Sequence, residues 1–346
     1  MQTAEPQSTP EQEHAAPSHP FTMDGHEDAV YYARHLGGTE RFDAGVADAQ
    51  LDLPGLRAGQ VDASFWAIFA EGEVRPEHDL VATVAEVDDL LARYRAWLAD
   101  HPAYKVMLSA SDLAAVASAA TGAQTEPAPF GVLLHLEGAR GLSGPAHLHE
   151  LYAGGLRSLG LTWNHANDYA TGAHGDPETP LTPAGRELVG ELNRLRMVID
   201  GAHLNRRGLW DVLELSSAPV LVTHTACAVL NANPRNLQDD QIKAVAESGG
   251  VIGVFYANIF LAPQGTPVTI DTVVAHYDHL LELAGPEHVA LGTDLGGISS
   301  GTPQGLAQIS DLLALYAAFH ARGYSDETIA AIRGGNYLRV VSEIIG

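Results

Sequence analysis

LTPAGRELVGELNRLRMVIDGAH, residues 181–203, reads as a helix followed at once by a strand. Thr182 stands at a cap position and Pro183 at the first helical one, where the absent N–H is not missed. The helix is expected over Pro183–Arg196, and the apolar run Met197–His203 then reads as a strand that ends in Asp200 and His203. Outward in both directions the same alternation recurs. Strand-like runs fall at Phe21–Asp28, Val61–Ala70, Tyr104–Ala110, Phe130–Glu137, Leu156–Asn164, Pro219–Thr225, Gly249–Ala257 and Val289–Asp294. Helical stretches are expected at Pro76–Asp100, Arg206–Ser216, Asp239–Glu247, Ile270–Leu283 and Pro303–His320, with Ser325 capping a last helix. The strand runs are apolar on both faces, as a parallel sheet covered on both sides requires.

Strand then helix, about eight times without a linker, predicts an α/β fold of the (β/α)8 TIM barrel type. The single domain is expected to span 21–346. Nine strand candidates compete for eight places, so one is expected to be an extra element or a loop, and a doubly wound open sheet is the alternative. There is no internal repeat and no G-x-G-x-x-G after a strand, which weakens a dinucleotide-binding reading. The first twenty residues, MQTAEPQSTPEQEHAAPSHP, contain no apolar run and read as a disordered tail. Neither a secretory signal nor a membrane span is legible, so the expectation is a cytoplasmic protein.

The chain of 346 residues carries 43 Asp and Glu against 19 Lys and Arg, a formal charge of −24. Such a surface repels phosphate backbones and anionic headgroups, which argues against nucleic-acid or membrane partners and favours small cations or metal ions. The one cysteine, Cys227, allows no internal disulfide and no cysteine-based metal motif. Any metal must therefore sit on carboxylates and on some of the 17 histidines.

Five of the nine strand candidates end in a residue able to bind metal or move a proton: His26 and Asp28, Glu137, Asp200 and His203, His224, and Asp294. In a barrel the C-terminal strand ends open into one mouth, where polar residues read as catalytic. Ending apolar strands repeatedly in unpaired buried charges would cost several kcal/mol each, and a metal cluster satisfies them together. His26 and Asp28 form H-x-D, with both side chains on one face of a strand. His203 and His224 are 21 residues apart, about one strand-helix-strand step. Nitrogen and oxygen donors without thiolate suit Zn2+, with Mn2+ or Co2+ as substitutes. The donors exceed what one catalytic ion uses, and two ions sharing Glu137 resolve the excess. The lysines, Lys105 at the start of its strand and Lys243 in a helix, are not placed to bridge metals as a carboxylated lysine does in other barrel hydrolases.

Taken together, DGHED, FWAIF, HLEGARGL, RSLGLTWNHAND, the stretch 181–203, APVLVTHTA, NPRNLQDDQI, GGVIGVFYANI, ALGTDLGG and RGGNYLRVV, in this order from Phe21 on, resemble the membrane (renal) dipeptidase family of zinc dipeptidases, soluble bacterial members included. The resemblance implies a barrel with a binuclear zinc centre at its C-terminal mouth. It implies that His26 and Asp28 hold one zinc, His203 and His224 the other, and that Glu137 bridges them. Asp294 matches the family's proton-handling carboxylate, Arg235 the residue that binds the substrate's C-terminal carboxylate, and Tyr256 resembles its helper. Where many members have a histidine that stabilises the tetrahedral intermediate, this chain has Trp163 in LTWN, whose indole only donates a hydrogen bond. His165, two residues on, is the candidate replacement, with a plain loop histidine as the alternative. The implied reaction is hydrolysis of dipeptides with a free C-terminal carboxylate, L-Xaa-D-Xaa among them, by a hydroxide bridging the two metals. The family also makes a homodimer an expectation. The competing readings are another binuclear-metal barrel hydrolase acting on a lactone or non-peptide amide, and a binding protein that kept a structural metal site. His147 and His149 are expected on a helix surface, and Cys227 as a buried packing residue.

Overall fold

The computed structural model describes residues 19–70, 73–74, 80–81, 83–122 and 127–346. The expected tail, 1–20, lies outside them except for His19 and Pro20. Nine parallel strands form one sheet: β1 (Met23–Glu27), β2 (Ala63–Ile68), β3 (Tyr104–Val106), β4 (Phe130–Glu137), β5 (Leu156–Gly160), β6 (Val198–Asp200), β7 (Val220–Thr225), β8 (Ile252–Val254) and β9 (Val289–Leu291). Each lies inside one of the nine apolar runs. Eight of them make the barrel, in the ring β1, β2, β4, β5, β6, β7, β8, β9, back to β1. The β2–β4 pairing that brings the ring together runs from Ala63 opposite Gly131 to Ile68 opposite Leu136. The surplus strand is β3. It pairs with Phe130–Val132 at the start of β4, whereas β5 pairs with Leu134–Glu137 at its end. Lys105, on β3, is half exposed and paired with Asp112 at 2.8 Å, far from any bridging role.

The apolar residues divide into two layers. Met23, Phe65, Leu133, Val198, Leu221, Val251 and Ala290 meet inside the barrel, where Tyr337, Val341 and Ile344 of the last helix (Asn336–Ile345) close its N-terminal end. The Tyr337 hydroxyl donates to the carbonyl of Leu291 at 2.9 Å. Outside, Trp66, Leu134, Leu136, Val222 and Val254 face the helices. With the lower end filled by side chains, the opposite mouth is the one left to hold a site.

Several helix limits depart from expectation for local reasons. The helix expected over Pro76–Asp100 runs over Val84–Leu98, started by Thr83 and Glu86 in a reciprocal cap; residues 76–79 and 82 lie outside the described residues. The one expected over Pro303–His320 runs over Leu312–Arg322, because Asp311 turns its carboxylate back to accept the N–H groups of Ala307 and Gln308. Thr182 and Ser325 cap their helices as expected, accepting from Gly185 and Thr328. His147 is a correction. It is buried and hydrogen-bonded to Asp88 at 2.9 Å, while His149 is exposed and meets Glu191. Among the described residues no helix is long and apolar enough to cross a membrane.

Cys227 is buried beside His276, and burial pushes its thiol up to about 12. Since the thiolate is the reactive form, alkylation by iodoacetamide at pH 8 is expected to fail on the native chain and to proceed on the unfolded one. Mass spectrometry of the two samples reads this directly.

Candidate metal centre

Six of the predicted residues meet at the C-terminal mouth. β1 delivers His26, and Asp28 follows as the residue before helix Ala29–Leu36. β4 ends on Glu137 and β7 carries His224, while His203 and Asp294 lie just past β6 and β9. Both of the latter adopt left-handed backbone, with φ of 66° and 59°, which turns their side chains back over the barrel. Such conformations are costly for residues with a side chain and gather at functional sites.

Glu137 stands at the centre with one oxygen to each side. Its Oε2 is 3.6 Å from His26 Nε2, and its Oε1 is 3.0 Å from His203 Nε2 and 3.8 Å from His224 Nε2. The two histidine Nε2 atoms face each other at 2.9 Å. On the other side His26 Nε2 lies 3.9 Å from Asp28 and 3.6 Å from Asp294. His26, Glu137 and His224 place ligand atoms within 4.8 Å of one another, as do His26, Asp28 and Asp294. A third group of this kind joins His26 to His135 and Asp200, so His26 is common to all three.

The donors fit cations. Both ring nitrogens of His26 are buried without a hydrogen-bond partner among the described residues. Burial opposes charge on His26, yet Glu137, Asp28 and Asp294 outweigh it and lift its imidazole to about 10. Burial also favours the neutral form of Asp294, which is pushed well above the carboxylate range, with Asp28 and Glu137 reinforcing it against His26. Three carboxylates crowded around one imidazole thus call for positive charge. His203 and His224 are held below their usual value by burial, which favours the neutral imidazole that a metal ligand must be. His203 points Nδ1 at Asn164 Oδ1, 2.9 Å away, which fixes its donor on the far side of the ring.

Above the cluster opens a cavity of about 520 Å3 whose walls include Phe69, Trp163, Phe255 and Phe260, with Asp28, Glu137, His203 and Asp294 among its lining residues. Trp163 is on this wall, 6.2 Å ring to ring from His203. His165 is not; it borders a side recess that shares Trp163 and Glu137 with the chamber. Arg235 is buried behind His224, to whose carbonyl it donates at 3.3 Å, and lines a neighbouring cavity of about 320 Å3 that also touches His203. Its guanidinium lies 5.8 Å from the ring centres of both Phe255 and Phe260. Tyr256 is a correction: it is fully buried with its hydroxyl on Tyr277, and its neighbour Phe255 faces the chamber instead. The sequence reading also passed over His135, inside the barrel with Nδ1 on Ser158 and Nε2 3.5 Å from Asp200, and over Asp24 and Asn164. For His135 the signal was present: in HLE it sits two residues before Glu137, on the same face of β4.

A family model described as membrane dipeptidase (peptidase family M19) matches residues 11–345. The chain belongs to the membrane dipeptidase family. It is a hydrolase of the metallo-dipeptidase type, a family that implies a metal, and the cluster just described offers candidate ligands for one. An uncharacterised dipeptidase of Schizosaccharomyces pombe is 30% identical over 96% of this chain and 83% of its own. Among solved structures, a metallopeptidase named dipeptidase AC superimposes with a TM-score of 0.82 at 28% identity, over 94% of this chain and 99% of that one. A metallopeptidase from Rhodobacter sphaeroides, liganded with a phosphinate mimic of the dipeptide L-Ala-D-Ala, does so with a TM-score of 0.80 at 28% identity, over 95% of this chain and 100% of that one.

Proposed function

We propose that this member is a two-zinc dipeptidase that cleaves dipeptides with a free C-terminal carboxylate, L-Xaa-D-Xaa substrates included. The observation that carries the reading is Glu137, with one carboxylate oxygen facing His26 and the other facing His203 and His224 at the floor of the chamber. His26 and Asp28 would hold one ion, His203 and His224 the second, and Glu137 both. Bound there, the ions would lower the pKa of water and polarise the scissile carbonyl.

The remaining groups handle binding and protons. Asp294, whose Oδ1 lies 3.6 Å from His26 Nε2, would take part in delivering a proton to the leaving amine. Trp163 shapes the chamber wall, and His165 stands one recess away as the candidate to support the developing oxyanion. Arg235 Nε is buried without a hydrogen-bond partner among the described residues, as expected of a guanidinium that reads a substrate carboxylate with its two-pronged edge. The mimic bound by the Rhodobacter sphaeroides relative supports including a D-residue at the second position.

Zinc analysis of the purified chain, with a panel of L-L and L-D dipeptides beside a lactone, tests the reading; lactone hydrolysis without dipeptide hydrolysis would refute it. Arg235→Lys keeps the charge and loses the two-pronged contact. Its KM for dipeptides is expected to rise about tenfold or more, the worth of a hydrogen bond to a charged group, with kcat nearly unchanged. An unchanged KM would remove Arg235 from substrate recognition.

A further inference from the structure

β1 and β6 enter the metal centre through the same device, used twice. On β1, Asp24 Oδ1 accepts the N–H of His26 at 3.2 Å and of Thr293 at 2.9 Å, and Oδ2 accepts the Thr293 hydroxyl at 2.5 Å. At the end of β6, Asp200 Oδ1 accepts the N–H of Ala202 at 2.9 Å and of Thr223 at 3.0 Å, and Oδ2 accepts the Thr223 hydroxyl at 2.6 Å. Both carboxylates are buried, both are followed by glycine, and each ties its strand to a threonine that directly precedes a residue of the centre: Asp294 in one case, His224 in the other. The chain therefore carries a local repeat that its sequence, with DGH at 24–26 and DGAH at 200–203, does not announce.

The two copies differ at the threonine, where Thr293 Oγ1 accepts the N–H of Leu295 at 3.3 Å. Thr223 Oγ1 instead lies 2.9 Å from His224 Nδ1. A hydroxyl has one proton, and here it goes to Asp200, so the oxygen offers the imidazole only lone pairs. That requires hydrogen on His224 Nδ1 and leaves the lone pair on Nε2, the atom that faces Glu137 and His203. A carboxylate acting on a metal-bound histidine usually does so directly; a threonine hydroxyl relays it here.

We infer that Asp200 and Thr223 are positioning residues that set the tautomer of His224 for metal binding, while Asp24 and Thr293, in the matching place, only clamp backbone. The inference rests on the two-zinc reading above. Its test uses the zinc-loaded full chain and the variants Thr223→Val, Thr223→Ser and Thr293→Val, with zinc retention measured by chelator competition and the His224 ring followed by 15N NMR. Thr223→Val is expected to lose about 10–100-fold in affinity for one ion, the usual effect of removing such a partner. It should also lose the Nδ1–H signature in that ring. Thr223→Ser, which restores the hydroxyl, should recover both, and Thr293→Val should keep the parental His224 signature. Parental zinc affinity and spectrum in Thr223→Val would overturn the inference, as would equal losses in Thr223→Val and Thr293→Val, which would mean a clamp in both places. A parental chain that binds no zinc would instead fail the two-zinc reading itself.

Discussion

Glu137→Ala is expected to lose bound zinc and to lower dipeptide turnover by more than about a thousandfold, some 4 kcal/mol of transition-state stabilisation. The Glu137 carboxylate lies within 4 Å of the Nε2 atoms of His26, His203 and His224 alike. Its removal separates the two donor sets and takes away the negative charge that would balance two divalent ions. Glu137→Gln keeps the shape and loses the charge, so the two variants together separate space from electrostatics. Metal analysis alongside a dipeptide assay decides the matter, with circular dichroism to verify the barrel. A Glu137→Ala chain with parental zinc and turnover would rule out a bridging role.

Gly297→Ala is expected to be nearly as damaging although it adds one methyl group. A Cβ at this position would lie 2.1 Å from Asp28 Oδ2 and 2.9 Å from Asp294 Oδ1. In an ordinary surface setting a carboxylate would swing aside at little cost. Here both carboxylates belong to the cluster, so relief of the clash would displace the proposed metal ligand Asp28 and the proposed proton-handling group Asp294 together. The metal-free chain should melt near the parental temperature, since the displaced atoms are side-chain ends, whereas the stabilisation that added zinc gives the parental chain should largely vanish. Thermal melts with and without zinc measure both quantities. Equal zinc-dependent shifts in parent and variant would show that Asp28 is not a ligand.

Much of this was legible in order along the chain. Nine apolar runs each contain a strand, and Thr182, Ser325 and the helix Asp239–Glu247 stand where cap and pattern reading puts them. His26, Asp28, Glu137, His203, His224 and Asp294 could be picked out because each ends an apolar run with a group that is expensive to bury alone. That argument uses only local sequence and the rule that barrel strands open into one mouth. It fails where the outcome depends on a neighbour far along the chain. Tyr256 and Phe255 are adjacent, and the sequence offers no reason why Phe255 lines the chamber while Tyr256 turns to Tyr277. His147 sits in a polar HLHE segment and is nevertheless buried, because Asp88, 59 residues earlier, meets its ring.

The sequence by itself determined the barrel class, the strand runs and the side chains available to a metal, since hydrophobic pattern and residue chemistry are local properties. The tertiary structure alone decided that Tyr104–Val106 is the surplus strand, that Glu137 turns one oxygen to His26 and the other to His203 and His224, and that Asp24 and Asp200 repeat one clamp. Each of these depends on register between strands brought together from distant parts of the chain. Register is set by how the whole ring packs, so no segment carries it alone.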